Sequence, residues 1–333
     1  MNQTLLRMTA TQQVGALFIA LFGLLLLASI TVFALSLREH TPDAAGEARR
    51  RDLKNLNGVV KTAWLMMGVF WLGWSAGDTV ATLLFAGVSF FALREFITLS
   101  PTRRGDHRSL VLVFFGVLPV QFALVAYRQF DLFTVFIPVY VFLLVPVVSA
   151  LADDPVRFLE RNAKLQWGIM VCVYGMSHVP ALLLLEFPHR GATYAGRNAF
   201  LVFFLVLTVQ LCMVVQHFAS RWLARAPTAP HISQSFNWRA WLIGVLVAAL
   251  LGGLLAGITP FAPGQAVAMA AIACAAGSLG NLVMKALKRD RGVTHWGSGV
   301  PSVTGAGGLL DRVDALCFAA PVFFHSIRWY FGL

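Results

Sequence analysis

The chain has 333 residues, of which 58% are hydrophobic and 12% charged, and its mean hydropathy is +0.73. That balance exceeds what soluble domains carry and places the chain among polytopic membrane proteins. The net charge of +11 would fit a nucleic-acid partner only as a basic module interleaved with aromatics, and the sequence holds no such module. Cys172, Cys212, Cys274 and Cys317 lie in apolar stretches without C-x-x-C spacing, so the pattern gives neither a disulfide framework nor a zinc site.

A helix needs about 20 mostly apolar residues to cross the hydrocarbon core. Ten segments qualify: 14–37, 59–76, 79–98, 109–127, 131–151, 165–185, 198–220, 240–259, 265–287 and 314–331. The expected fold is therefore an all-α polytopic integral membrane protein, one transmembrane domain over 1–333 with about ten transmembrane helices. The first segment runs from Val14 to Leu37 without a charge and only Arg7 precedes it as a basic residue. It is too long for a signal-peptide core and reads as a retained anchor. The polar stretch from Arg38 to Asn57, with its run EARRRDLKN, reads as a loop with a small surface helix against anionic lipid heads. Asp78 sits in a very short turn between the second and third segments, and Arg94-Glu95 fall inside the third. Glu95 reads as a structural group, with a place in a lipid site as the alternative. His178, Gln210 and His217 lie in spans, where hydrogen bonding between helices is the common use of such side chains. His325 and Trp329 read as interfacial anchors.

Lysine and arginine orient the layout. Of the 26 basic residues, 21 fall in loops or span ends on one side, which the positive-inside rule assigns to the cytoplasm. Both termini are then expected outside, and the 285–314 connection inside. A bacterial inner membrane is the expected location.

That connection carries the chemistry. From Ser278, the run SLGNLVMKALKR sets Ser278, Asn281, Lys285 and Lys288 at offsets of three and four, which place them on one helix face. A polar stripe on an apolar span points toward protein or a wet cavity; snorkelling lysines are the plainer reading. The loop RGVTHWGSGVPSVTGAGG follows, rich in glycines including Gly305, Gly307 and Gly308. Glycines let backbone N–H groups approach a phosphate closely. The run GGLLDRVDA then sets Asp311 and Asp314 three apart at the expected start of the last helix, so both carboxylates can project from one face. Two hard oxygen donors at that spacing suit magnesium, and Lys288, Arg289 and Arg312 beside them suit a phosphate-bearing substrate. Helix capping by the two aspartates is the plainer reading of the same residues.

The stretch from Gly277 to Phe324 resembles the signature region of the phosphatidate cytidylyltransferase (CDP-diacylglycerol synthase) family. The match runs through Lys288-Arg289, Gly297, Gly307-Gly308, Leu309, Asp311-Arg312, Val313 and Asp314. The chain departs from that pattern at Lys285, where the family has Ser, at Thr294-His295 for Lys-Asp, at Ala306 for His, and at Asn281 for a metal-binding Asp. The resemblance implies a membrane enzyme that joins CTP to phosphatidate and releases pyrophosphate. It implies Mg2+ held by Asp311, Asp314 and, more weakly, Asn281. It assigns charge stabilisation to Lys288, Arg289 and Arg312, and substrate binding to Ser278, Lys285, Gly305, Gly307 and Gly308. CTP, a lipid phosphate and membrane lipid are the implied partners, with a homodimer as a further option and no nucleic acid. Two other readings stay open: a relative acting on another lipid phosphate or without turnover, and a transporter or structural membrane protein.

Overall fold

The computed structural model describes residues 9–37, 53, 57, 60, 64, 67–100, 102–187, 194, 196–223, 226–233, 236–293, 295, 296 and 308–333. Among the described residues the regular structure is helical, and the only β pairing is an isolated bridge between Ala229 and Ser233. Among the described residues, seven helices are long and apolar enough to cross a membrane. The protein is an all-α membrane protein.

The chain divides into two compact units, Met1–Ala81 and Thr82–Leu333. In the first, α1 (Ala10–Ser36) opens with a capping box. Thr9 Oγ1 accepts from Gln12 N at 3.3 Å while Gln12 Oε1 accepts from Thr9 N at 2.9 Å, so two N–H groups that no helical carbonyl reaches are satisfied. Trp64 Nε1 donates to Ser29 Oγ at 2.9 Å, and the Phe18 ring meets Phe70 and Trp74. Ile19, Leu24, Leu27 and Phe33 remain exposed, as a lipid-facing helix requires.

The second unit holds the remaining helices: α2 (Asp78–Thr98), whose first turn begins in the preceding unit, α3 (Arg104–Ala126), α4 (Phe130–Ala150), a continuous helical run α5 over 158–183, α6 (Ala199–Leu223), α7 (Trp238–Leu254), α8 (Pro263–Asp290) and α9 (Leu310–Phe331). Of the ten expected spans, 59–76 is helical at 60, 64 and 67–75, with its other residues up to 66 outside the described ones, and it is not among the seven. The segments 165–185 and 314–331 are helical, but the helices that contain them miss the apolarity of the other seven. The run from Phe158 opens on Glu160, Arg161, Asn162 and Lys164, and α9 carries Asp311, Arg312, Asp314 and Arg328. Both helices are instead the most enclosed of the unit, with long unbroken rows of buried residues.

Prolines shape the middle of the bundle. A proline inside a helix removes one N–H and pushes away the carbonyl four residues earlier, which then lacks its partner. Pro138 frees the Thr134 carbonyl, and Tyr174 Oη donates to it at 3.3 Å; Pro146 frees the Phe142 carbonyl, and Gln166 Nε2 donates to it at 2.9 Å. Both donors come from α5, so α5 supplies to α4 the hydrogen bonds that its prolines remove. Wide π turns accompany them: Phe136–Val141 contains Pro138, while Val113–Val117 ends two residues before Pro119, the usual way a helix absorbs such an insertion.

The helix pair that matters most is α8 and α9, packed antiparallel. Gly280 makes the close approach possible: a Cβ there would fall 2.2 Å from Phe318 Cγ. On the other side of α8 lies the apolar cluster of Cys212, Val245, Ala248 and Cys274. All four cysteines are free and buried.

Candidate functional site

The antiparallel seam brings the C-terminal turns of α8 against the first turns of α9. Lys288 Nζ donates to Asp311 Oδ1 at 2.6 Å, and both side chains are nearly buried, 12% and 10% exposed. Three residues on, Asp314 is 3% exposed and its Oδ2 accepts from Asn281 Nδ2 at 2.9 Å. Its Oδ1 accepts from the N–H of Ala315 at 2.6 Å. Lys285 is half-buried on the same stretch of α8 and lies in the field of both Asp314 and Lys288. Two carboxylates and two ammonium groups thus share one seam. Charge-assisted hydrogen bonds of this length are about twice as strong as neutral ones.

Two features outside the expected set complete the arrangement. Trp296, 2% exposed, donates its backbone N–H to Asp311 Oδ2 at 2.8 Å, and its ring lies 5.5 Å from that of Phe96. Glu95, 9% exposed on α2, accepts from the N–H of Leu309 through Oε1 and from that of Leu310 through Oε2, each at 2.9 Å. Sequence spacing could not reveal these contacts, because backbone groups donate them and Glu95 acts across more than 200 residues. The one available signal was a carboxylate inside an apolar span, which is costly and marks function.

The remaining expected residues divide. Ser278 turns away from the carboxylates: its Oγ donates to the Cys274 carbonyl at 2.7 Å and accepts from Trp241 Nε1 at 2.8 Å. An indole N–H in an apolar span needs an acceptor, and Ser278 supplies it between α7 and α8. The expected four-residue stripe of α8 therefore splits, with Asn281 and Lys288 bonded to α9 and Ser278 to α7. Arg289 is exposed, and Arg312 is half-buried with a buried Nε that has no hydrogen-bond partner among the described residues. His295 is 64% exposed with Nδ1 3.7 Å from Asp311 Oδ2. Gly308 is described, whereas Gly305, Gly307, Gly297, Thr294 and Ala306 lie outside the described residues, and with them the expected phosphate cradle.

The donor set suits a hard cation in its chemistry: two carboxylates one turn apart with a carboxamide beside them. Each carboxylate oxygen already faces a donor, and Lys288 holds Asp311. No group of three or more His, Cys, Asp or Glu side chains gathers among the described residues. A cation binding here therefore competes with, or sits beside, an ammonium group built into the site.

A multi-helix membrane protein with paired carboxylates and lysines at one helix seam has the equipment of an enzyme acting on phosphates at a bilayer. Sequence comparison narrows that class. The profile of the cytidylyltransferase family matches residues 59–330, and the chain belongs to that family. It is 31% identical over 272 residues to the uncharacterized protein YnbB of Escherichia coli strain K12, an alignment covering 81% of this chain and 86% of that protein. It is also 30% identical over 178 residues to the phosphatidate cytidylyltransferase of Mycobacterium leprae strain TN, with 52% of each chain covered. Another such match, to the phosphatidate cytidylyltransferase of Brucella abortus biovar 1, is 30% identical over 189 residues, 50% of this chain and 66% of that one. The chain thus spans less than two thirds of the length of the relatives named for that activity.

Proposed function

We propose that the protein transfers a cytidylyl group from CTP to the phosphate of phosphatidate, forming CDP-diacylglycerol and pyrophosphate at the cytoplasmic face of a bacterial inner membrane. The observation that carries this reading is the seam of Lys288–Asp311 and Asn281–Asp314 in a chain of this family. Ten spans with both termini outside complete the proposed topology, with α5 and α9 crossing as enclosed members of the bundle.

In the reaction, an oxygen of the lipid phosphate attacks the α-phosphorus of CTP, and the bond to the β-phosphate bridging oxygen breaks as pyrophosphate leaves. Such transfers rely on positioning and on neutralising charge at the equatorial and leaving oxygens. Asp311 and Asp314, with the Asn281 amide oxygen, would hold Mg2+, which when bound supplies charge neutralisation on the nucleotide phosphates. Lys288 and Lys285 bring fixed positive charge to the seam. The unpartnered Nε of Arg312 leaves that guanidinium a donor to spend on a phosphate oxygen, and exposed Arg289 extends the same positive field outward. Backbone amides near Gly305, Gly307 and Gly308 would cradle phosphate, while Ser278 fixes α7 against α8.

Another lipid phosphate as acceptor is the second reading. It is favoured by the neutral Asn281 beside Asp314, which lowers the negative charge available for a cation. The test is magnesium-dependent conversion of labelled CTP into a lipid-extractable CDP product by purified protein in mixed micelles with phosphatidate, beside an Asp314→Ala control. Product that vanishes in the control supports the reading. No product from folded protein with phosphatidate, but product with a different lipid phosphate, would replace the first acceptor with the second.

A further inference from the structure

We propose that Glu95 is the positioning residue of this site: its carboxylate fixes where α9 begins, and so aims Asp311, Arg312 and Asp314 at α8. The inference rests on the cytidylyl-transfer reading for its functional half and on geometry alone for the rest.

The first N–H groups of any helix have no helical carbonyl to bond, and the helix dipole makes that end favourable for negative charge. At the start of α9 the N-cap residue is Leu309, whose side chain makes no cap bond. The acceptor comes from α2 instead, with each Glu95 oxygen taking one N–H, Leu309 and Leu310 at 2.9 Å. A carboxylate only 9% exposed is costly unless hydrogen-bonded, so the fork is a strong preference for one start of the helix. Asp311 follows one residue later. Because successive residues on a helix are about 100° and 1.5 Å apart, moving the start by one residue would swing Asp311 off Lys288 and Asp314 off Asn281.

The same dipeptide also holds the other end of the 297–307 connection. Phe96 lies against Trp296, whose N–H bonds Asp311 Oδ2. Gly308 passes between the two: a Cβ on it would stand 2.6 Å from Glu95 Oε2 and 2.4 Å from the Trp296 carbonyl oxygen. Glu95-Phe96 therefore pins both ends of the segment that separates the lysine end of α8 from the aspartates of α9. Leu309 and Leu310 carry no reactive group, so Glu95 acts on the site only through the placement of its neighbours.

The experiment compares wild type, Glu95→Gln, Glu95→Asp and Gly308→Ala, each full-length in micelles, by amide hydrogen exchange and by turnover of CTP with phosphatidate. A Gln side chain offers one acceptor and turns an N–H toward the second backbone donor. Exchange of the 309–312 amides should then rise about 10-fold or more, the scale expected for losing one charge-assisted bond, while the amides of 316–327 stay protected. In parallel kcat should fall about 10-fold with KM for CTP within about twofold, since an aim is lost and not a binding group. Glu95→Asp, which keeps the charge at shorter reach, should recover part of the loss. If Glu95→Gln does not fold, Glu95→Asp is read in its place by exchange and turnover, and Gly308→Ala, whose Cβ would crowd the same fork, is read by amide exchange alone. Unchanged exchange at 309–312, or faster exchange with unchanged kcat, would overturn the proposal. Should wild type make no CDP-lipid, the transfer reading fails separately. The yield of a carbodiimide crosslink between Lys288 and Asp311 then decides: a fall of about fivefold or more in Glu95→Gln, the size expected when a close pair moves apart, supports positioning, and an unchanged yield overturns it.

Discussion

The two ends of α9 lie in one helix but are held by different chemistry. At its start, buried carboxylates are met by an ammonium group or by N–H dipoles: Lys288 on Asp311, Asn281 on Asp314, and two backbone N–H groups on Glu95. Toward its end a cluster of rings fills the interior, and the Arg328–Asp131 ion pair at 2.9 Å involves an exposed aspartate. His325 Nε2 and Tyr174 Oη are 3.0 Å apart, His178 Nδ1 bonds the Tyr174 carbonyl at 2.7 Å, and Phe133 and Phe324 pack around them. A shallow cavity of about 410 Å³ beside Pro321, Val322, His325, Ser326 and Trp329 opens there without a fixed charge among its walls. The difference shows where the protein carries the cost of desolvated ions and where it settles for packing.

If that contrast is right, substitutions at the two ends should differ in kind. The largest effect is expected for Asp314→Ala, which removes a proposed magnesium ligand and leaves Asn281 without its partner. Turnover should fall at least about 100-fold, the scale of losing a preorganised charge contact at a transition state, in the CTP-to-lipid assay. Full activity in this variant would end the contrast. Lys288→Met should come next: it leaves Asp311 nearly buried without its ammonium, with a stability loss of about 3–5 kcal/mol readable by thermal denaturation in detergent. Its turnover should fall as well, and added Mg2+ should restore more stability to it than to wild type, because the cation then has no competitor at Asp311.

Tyr174→Phe sharpens the comparison from the other end. It removes the hydroxyl that serves both His325 and the Thr134 carbonyl, so stability should drop by about 1–3 kcal/mol while kcat stays within about twofold of wild type. A large kcat loss would bring the ring cluster into the chemistry. The smallest effect is expected outside the spans. The Arg161 guanidinium, hydrogen-bonded to Asp154 at 2.6 Å, holds that carboxyl below its ordinary range. A group whose pKa is lower in the folded state contributes stability above its ordinary pKa, about 3.9, and loses it as pH falls through the folded value. Melting temperature should therefore hold steady between pH 7 and 5 on this account and decline below about pH 4, with a shallower decline in Asp154→Asn.

Much of the bundle is legible in hydropathy alone. The expected segments 79–98, 131–151 and 265–287 lie within one to three residues of α2, α4 and α8, because a run of about 20 apolar residues has few other uses. The pairs at the seam are legible from spacing, since Asn281 and Lys288 lie seven apart on α8 and Asp311 and Asp314 three apart on α9. Ser278 is the instructive failure. Spacing puts it on nearly the same face as Asn281, but which neighbour that edge meets depends on Trp241, 37 residues away. Glu95 and Trp296 were out of reach for a related reason: their partners are backbone groups, which every residue possesses and no pattern marks.

The hydrogen bonds that α5 gives to α4 also act as a mechanical stop. Tyr174 and Gln166 meet two carbonyls eight residues apart on the facing helix. Sliding α5 past α4 by a single turn would strand both oxygens in hydrocarbon, where each unmet group costs several kcal/mol. Relative travel of these two rods is thereby latched at two points, so any movement that admits a lipid has to be borne by other helices.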